Sequence, residues 1–395
     1  MSNAPFAWRK MRARSLFSAS VLGLIMAIIQ PVRAQTETVL YSFRGGLDGQ
    51  LPFAALAIGP DGNLYGTTSD GFDYPAHGTV FSVTPTGEKK IVYRFRGRGD
   101  GGGPESDLVF DPEGNIYGTT PGGGTYRDGL VFKITPGGTA RETVLYTFQP
   151  RPDGRNPYPY VIRDIAGNIY GVTWWGGAYG RGTVFQISPD GIETVLHNFL
   201  DTPDGSWPYA SVVLDSKGRL FGTTKIGGTY GYGTIYELEP GIKKDRVLYS
   251  FSGKSDGGYP LARLIFDADG NLYGTTSIGG NCCGTVFQLS PAGTLKTIYT
   301  FTGGLDGGIP SAAVVRDEEG NIYGTTSAGG TRGLGTVFKI DANGNESVLH
   351  SFTGAPLDGE KPYAGLVRDA EGNLYGTTYV GGTRNLGTVY KITIP

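Results

Sequence analysis

Cysteine is almost missing from this chain: its only two, Cys282 and Cys283, are neighbours and cannot staple distant segments. A disulfide-built scaffold is thereby excluded. A bond between the two neighbours in an oxidising compartment stays open, and a local variation of one loop is the plainer reading. Histidine is equally scarce. His77, His197 and His350 are scattered, too few and too far apart in sequence for a typical His-rich metal centre, so no metal and no cofactor is expected. Charge is sparse and balanced, with 34 basic and 36 acidic residues, and no basic face is present to take nucleic acid. Walker-type phosphate loops are absent, and Asp267-Ala268-Asp269-Gly270 is shorter than a calcium loop. Beyond the first 34 residues no run carries a 3.6-residue apolar period, so helices are not expected.

Those first residues read as a processing segment. Arg9, Lys10, Arg12 and Arg14 form a basic start, and Ser15 to Gln30 is uncharged for 16 residues. That run is short of the ~20 residues a spanning helix needs. Val32-Arg33-Ala34 then offers small residues to a signal peptidase, predicting a signal peptide over 1–34 and a mature chain from Gln35. Export to the periplasm or the cell exterior follows, with no stable membrane insertion after cleavage. Without the leader, 29 basic residues face 36 acidic ones, a mild net charge near -7.

What is abundant is glycine, 67 of 395 residues, and it recurs at fixed offsets. The phrase G-N-[LI]-Y-G-T-T, with small variations, begins at Gly62, Gly114, Gly167, Gly218, Gly270, Gly320 and Gly372, spaced by 50 to 53 residues. Before it stands D-G-x-x-P and an apolar run; after it come a Gly-rich stretch and G-T-V-F-K-I. A period this long means stacked supersecondary units. In the second copy the strand-like runs are Glu105–Phe110, 115–120, Leu130–Thr135 and 143–148, each bounded by Gly, Pro or Asp. Four strands per unit and seven units predict an all-β, seven-bladed propeller over 35–395, a single domain and a monomer. The chain opens on a fourth-strand phrase (T-V-L-Y-S-F, from Thr38) and ends on a third-strand phrase. The N-terminal strand is therefore expected to complete the last blade, hiding two sheet edges.

The unit G-N-L-Y-G-T-T…G-T-V-F-K-I…T-V-L-Y-S-F resembles the GloVer tandem repeat of exported, choice-of-anchor bacterial proteins. The resemblance covers residues 37–393. It implies an exported repeat protein and supplies no activity and no functional residue. Unlike that pattern, this sequence shows no sorting segment after its last repeat, so surface attachment is not expected.

Repetition also sorts residues by role. Asp48, Asp100, Asp153, Asp204, Asp256, Asp306 and Asp358 recur in D-G-x-x-P, and a carboxylate repeated seven times serves the scaffold, capping backbone N–H groups where one blade hands over to the next. The Tyr of G-N-L-Y-G is expected to pack between blades. His197 and His350 stand where other copies have the Tyr of V-L-Y-S-F, and read as strand substitutions. Function is sought instead where the copies differ. Trp174 and Trp175 occupy the loop after the second strand of the third blade, and Trp207 the handover into the fourth. Tyr179, Tyr230 and Tyr232 lie in neighbouring loops, and Tyr158, Tyr160 and Tyr209 begin innermost strands. Together they predict an aromatic crescent over the third and fourth blades, suited to stacking on a flat ligand. The positions nine and seven residues before the G-N glycine also vary: only the second blade has acids there, Glu105 and Asp107, and only the fifth a base, Arg263. The expectation is a binding or interaction module for carbohydrate or a protein partner, with no catalytic residue assigned. A glycan lyase or hydrolase centred on Glu105 and Asp107 is the alternative, and a structural envelope protein a third.

Overall fold

Each repeat folds into one antiparallel four-stranded sheet, because its extended runs are joined by turns that only Gly and Asp fill comfortably. The computed structural model describes residues 36–394 apart from 70–76, 98, 138–139 and 243; the leader and its expected cleavage point lie outside the described residues. The first sheet runs outward from the channel through Ala57–Ile58, Leu64–Thr68, Thr79–Val83 and Lys89–Arg94, and six more sheets follow the same order. In the second blade the first turn places Gly114 at φ 82, a left-handed conformation that suits glycine. Asp111 locks that turn. Its carboxylate accepts from the Asn115 amide at 2.8 Å and from the Tyr117 hydroxyl at 2.8 Å, so one side chain ties the hairpin to its second strand.

The sheets bury their faces against one another. Tyr117 and Val131 of the second blade pack on Val161, Ile169 and Phe185 of the third. The same kind of cluster recurs between each pair of neighbours, up to Tyr375 and Val389 of the last blade against Leu56, Leu64 and Phe81 of the first. The ring therefore closes. As expected, Thr36–Ser42 is the outermost strand of the seventh sheet, paired with Thr388–Thr393. Two side-chain devices reinforce this seam. Thr377 Oγ1 donates to the Ala54 carbonyl at 3.0 Å across the two blades. Pro52 Cδ lies 2.4 Å from where a Cβ on Gly387 would be, so only glycine lets the last blade meet the first handover.

The handover aspartates do cap backbone N–H groups. Asp100 accepts from Arg96 N at 2.9 Å, Asp153 from Gln149 N at 2.8 Å and Asp256 from Ser252 N at 2.7 Å. Each also takes a ring donor from the preceding outer strand: Tyr93, Tyr146 and Tyr249 at these three. In the two remaining variants His197 Nε2 meets Asp204 at 2.8 Å and His350 Nε2 meets Asp358 at 3.0 Å. An imidazole N–H thus substitutes for a phenol O–H, which is why His can replace Tyr here.

One expectation fails. The innermost run of the second blade, read as Glu105–Phe110, is a strand only over Val109–Phe110, and five other blades are equally short there. The cause is a surplus on the inner segment after the handover proline: Gly102 to Val109 spans seven residues where its partner, Gly122 to Tyr117, spans five, so the ladder cannot stay in register. The residue before that proline also has positive φ in every copy: Leu51 55, Gly103 63, Asn156 53, Trp207 56, Tyr259 54, Ile309 57 and Lys361 55. The left-handed residue itself stays within the pairing: in the third blade Arg155 opposite Trp175 and Pro157 opposite Thr173 stand on either side of Asn156. Only the third blade carries pairing through, over Gly154–Arg163, with an irregularity between Pro157 and Val161.

Candidate functional site

Because the innermost segments are extended but largely unpaired, their side chains are free to line the central channel in tiers. The residues nine before each G-N glycine form one tier: Phe53, Glu105, Tyr158, Tyr209, Leu261, Ser311 and Tyr363. Those seven before form a deeper one, including Asp107, Tyr160, Ser211 and Arg263. All of these line one cavity of about 680 Å³. The residue following T-T contributes further, since Tyr379 lines the same cavity and Trp174 occupies its position in the third copy.

Trp174 and Trp175, expected in a loop, lie instead within the second strand of the third blade, Ile169–Gly176, because pairing with the long inner strand extends it. With Trp207, Tyr158 and Tyr209 they come together in one group. Trp174 and Trp175 lie 5.4 Å apart between ring centroids, Trp175 and Trp207 5.2 Å, and Trp174 and Tyr209 5.8 Å. Tyr209 meets Tyr158 edge-on at 4.8 Å and its hydroxyl donates to that of Tyr158 at 3.2 Å. The group continues past the third and fourth blades. Tyr158 contacts Phe53 at 6.3 Å, Phe53 contacts Tyr363 at 5.5 Å and Tyr379 at 6.0 Å, and the last two touch at 5.6 Å. Aromatic rings therefore flank the channel from the seventh and first blades to the third and fourth, with Glu105 of the second blade in the middle of the arc.

Three expected members lie elsewhere. Tyr179 and Tyr230 project to solvent, 57% and 60% exposed, and Tyr232 is turned onto Tyr259, stacked at 5.8 Å. Tyr160 lies deeper, with the Arg263 guanidinium 4.7 Å over its ring. Phe53, Tyr363 and Tyr379 are the members that sequence reasoning did not single out. Their signal was available: Phe53 and Tyr363 share the alignment column of Tyr158, and Tyr379 shares that of Trp174.

The chemistry of the lining is uneven. Burial pushes the Glu105 carboxyl above its ordinary range, partly offset by a hydrogen bond with the Tyr158 hydroxyl. Burial also raises Asp107, while the Arg263 charge and the Ala55 amide, which donates to it at 2.7 Å, pull it back. The phenols of Tyr158, Tyr209 and Tyr379 are raised first by burial and also by the nearby charge of Glu105. Trp174 Nε1, Trp207 Nε1, the Ser211 hydroxyl and Arg263 Nε are buried polar atoms without a hydrogen-bond partner in the protein. Among the described residues, no ion pair within 4.0 Å involves Glu105. What the arrangement offers is a broad aromatic wall, unused donors and one acid without a counter-ion.

Other candidates resolve into scaffold. Cys282 and Cys283 are bonded to each other at the tip of a fifth-blade loop, against Gly303. Gly253-Lys254-Ser255-Asp256-Gly257 spells G-x-S-x-G, yet it is a handover turn leading to no helix, so Ser255 is not a nucleophile elbow. His350 and Asp358 approach Glu37, and His197 and Asp204 approach Asp245, with ligand-type atoms within 4.8 Å of one another. Both groups sit at blade junctions where the His does the work that Tyr does elsewhere, and the same reading accounts for them.

The profile of the Gloeobacter/Verrucomicrobia repeat matches residues 23–209, 108–304 and 214–395, which together span every repeat. No curated protein matches. Among solved structures, the extracellular domain of a candidate one-component system from B. thetaiotaomicron is similar with a TM-score of 0.55 and 10% identity, over 91% of this chain and 40% of that one. This chain thus spans less than half of that relative's length. A candidate 6-phosphogluconolactonase from Bacteroides uniformis ATCC 8492 is similar with a TM-score of 0.53 and 17% identity, over 82% of this chain and 88% of that one. At such identities the likeness is one of fold. No helix among the described residues is long and apolar enough to cross a membrane.

Proposed function

The chain belongs to the Gloeobacter/Verrucomicrobia repeat family, and we propose that it is an exported binding module which takes a carbohydrate at the mouth of its channel. The observation that carries this reading is the continuous aromatic group from Trp175 to Tyr379, beside a cavity of about 680 Å³. Aromatic faces stack on the apolar faces of sugar rings, and the exposed parts of this wall offer such faces. A scaffold role does not call for these residues, since five of seven copies fold without an aromatic at the Trp174 position. The test is affinity chromatography of the mature protein on immobilised polysaccharides. Trp174→Ala and Trp207→Ala should each lose retention; equal retention by variants and parent sinks the aromatic mouth.

One observation favours a second reading, glycan hydrolysis: the Glu105 carboxyl has the raised proton affinity of a general acid. Asp107 is a poorer base, being engaged by the Ala55 amide and the Arg263 charge. Turnover of a glycan panel by the parent protein, lost in Glu105→Gln, would establish it. If neither retention nor turnover is found, a structural role in the envelope is what remains.

A further inference from the structure

Resting on the carbohydrate reading, we infer that the sugar held in the channel carries a free, protonated amino group, which Glu105 receives between the aromatic walls. The placement of the acid is the first ground. Glu105 is flanked by Phe53, Tyr363 and Tyr379 on one side and by Tyr158 and Tyr209 on the other, and the Phe53 and Tyr158 rings reach each other at 6.3 Å across its blade. Aromatic faces present negative potential, so a cation entering this arc is attracted by the rings as well as by the carboxylate. An anion would meet both unfavourably.

The charge balance of the lining is the second ground. Arg263 is matched within the deeper tier, by the charge of Asp107 and by its seat over the Tyr160 ring at 4.7 Å. Among the residues that line the cavity, Glu105 and Asp107 are the acids and Arg263 the base, which leaves one negative charge in excess when both acids are ionised. Lys225 stands outside that lining, with its ammonium 5.5 Å over the Tyr209 ring, showing that this same wall accepts a cation on an aromatic face. Beside a neutral N-acetyl sugar Glu105 stays buried as the uncharged acid, and its ionised form lacks a counter-charge. An amino sugar supplies it.

The experiment uses two probes with one backbone: a glucosamine tetramer and the N-acetylglucosamine tetramer of the same linkage, titrated calorimetrically into the mature protein where the amines are protonated. The amine should bind at least about tenfold more tightly. Glu105→Gln, whose folding is checked by its circular dichroism, should bring the two probes within about twofold of each other by weakening only the amine. Equal affinity of the parent for both tetramers overturns the amino-group inference and leaves the carbohydrate reading standing. Binding of neither overturns the amino-group inference too, and the carbohydrate reading then falls only if retention on the immobilised polysaccharides also fails.

Discussion

A repeated residue in this protein is explained by its neighbours, and the handover aspartates make the point most sharply. Asp358 accepts from Thr353 N at 2.7 Å, from Gly359 N at 2.6 Å and from His350 Nε2 at 3.0 Å, where five other copies supply a tyrosine hydroxyl. If the imidazole is there only as that donor, His350→Tyr should cost less than about 0.5 kcal/mol, while His350→Phe should cost about 1–2 kcal/mol by leaving part of the carboxylate unmatched. Urea unfolding of the two variants checks this, and equal losses in both would refute it. His350 and His197 were legible as Tyr substitutes because seven aligned copies expose any exception. The site was less legible. Tryptophan is rare enough that Trp174 draws the eye, but Tyr379 in the same repeat position is one of 24 tyrosines and did not. Nor does sequence say which loop rings turn inward: Tyr179 and Tyr230 have the right type and address, and still point to solvent.

At the scale of the element, the strand count and the closing strand were legible, because turn residues recur at fixed distances and the chain begins in fourth-strand phase. The length of the innermost strand was not. It depends on the register of the inner segment against the second strand, two residues longer from Gly102 to Val109 than from Gly122 to Tyr117, and residue type gives no warning of that surplus. The same surplus holds the channel side chains out of a regular ladder, which makes the failed strand part of what builds the site. The closing strand yields a sharper expectation. Thr36–Ser42 supplies a full ladder to Thr388–Thr393, and Phe43 just after it is fully buried, 5.1 Å from Phe81 of the first blade. Removing a buried Phe alone costs about 3–5 kcal/mol. Deleting residues 35–44 should therefore lower the melting temperature steeply and expose an aggregating edge, whereas an unchanged melting curve would mean that the ring does not rely on this seam.

Sevenfold construction also multiplies small electrostatic effects into a property of the whole molecule. At four blade junctions a glutamate of the outer strand faces the handover carboxylate of the preceding junction. Glu37 faces Asp358 and His350, Glu142 faces Asp100, Glu193 faces Asp153 and Glu346 faces Asp306. Burial first, and then the neighbouring aspartate, push each of these glutamates from an ordinary 4.5 up to about 7; at Glu37 the charge of His350 opposes the rise. In the first blade the equivalent residue is Lys89, which instead pairs with Asp48 at 2.9 Å. A carboxyl whose folded value exceeds its unfolded one binds protons more tightly when folded, so its favourable contribution is complete below about pH 4.5 and is lost as pH rises toward about 7. Glu105 and Asp107 are shifted in the same direction. The turn aspartates behave oppositely: Asp111, Asp267, Asp317 and Asp369 lie below their ordinary 3.8, mainly through hydrogen bonds from their own turns that outweigh the upward push of burial. Their contribution is present above pH 3.8 and is lost as pH falls further. The two windows do not overlap. The propeller should therefore be most stable in mildly acid solution, near the point where the aspartates are ionised and the glutamates still protonated, and its melting temperature should decline from there to neutrality and then level off. Replacing Glu37, Glu142, Glu193 and Glu346 together by Gln should flatten that decline while leaving the acid limb in place. A melting temperature that rises from pH 5 to pH 8 in the parent, or a decline that survives the fourfold replacement undiminished, would show that the junction glutamates do not set the pH response of the ring.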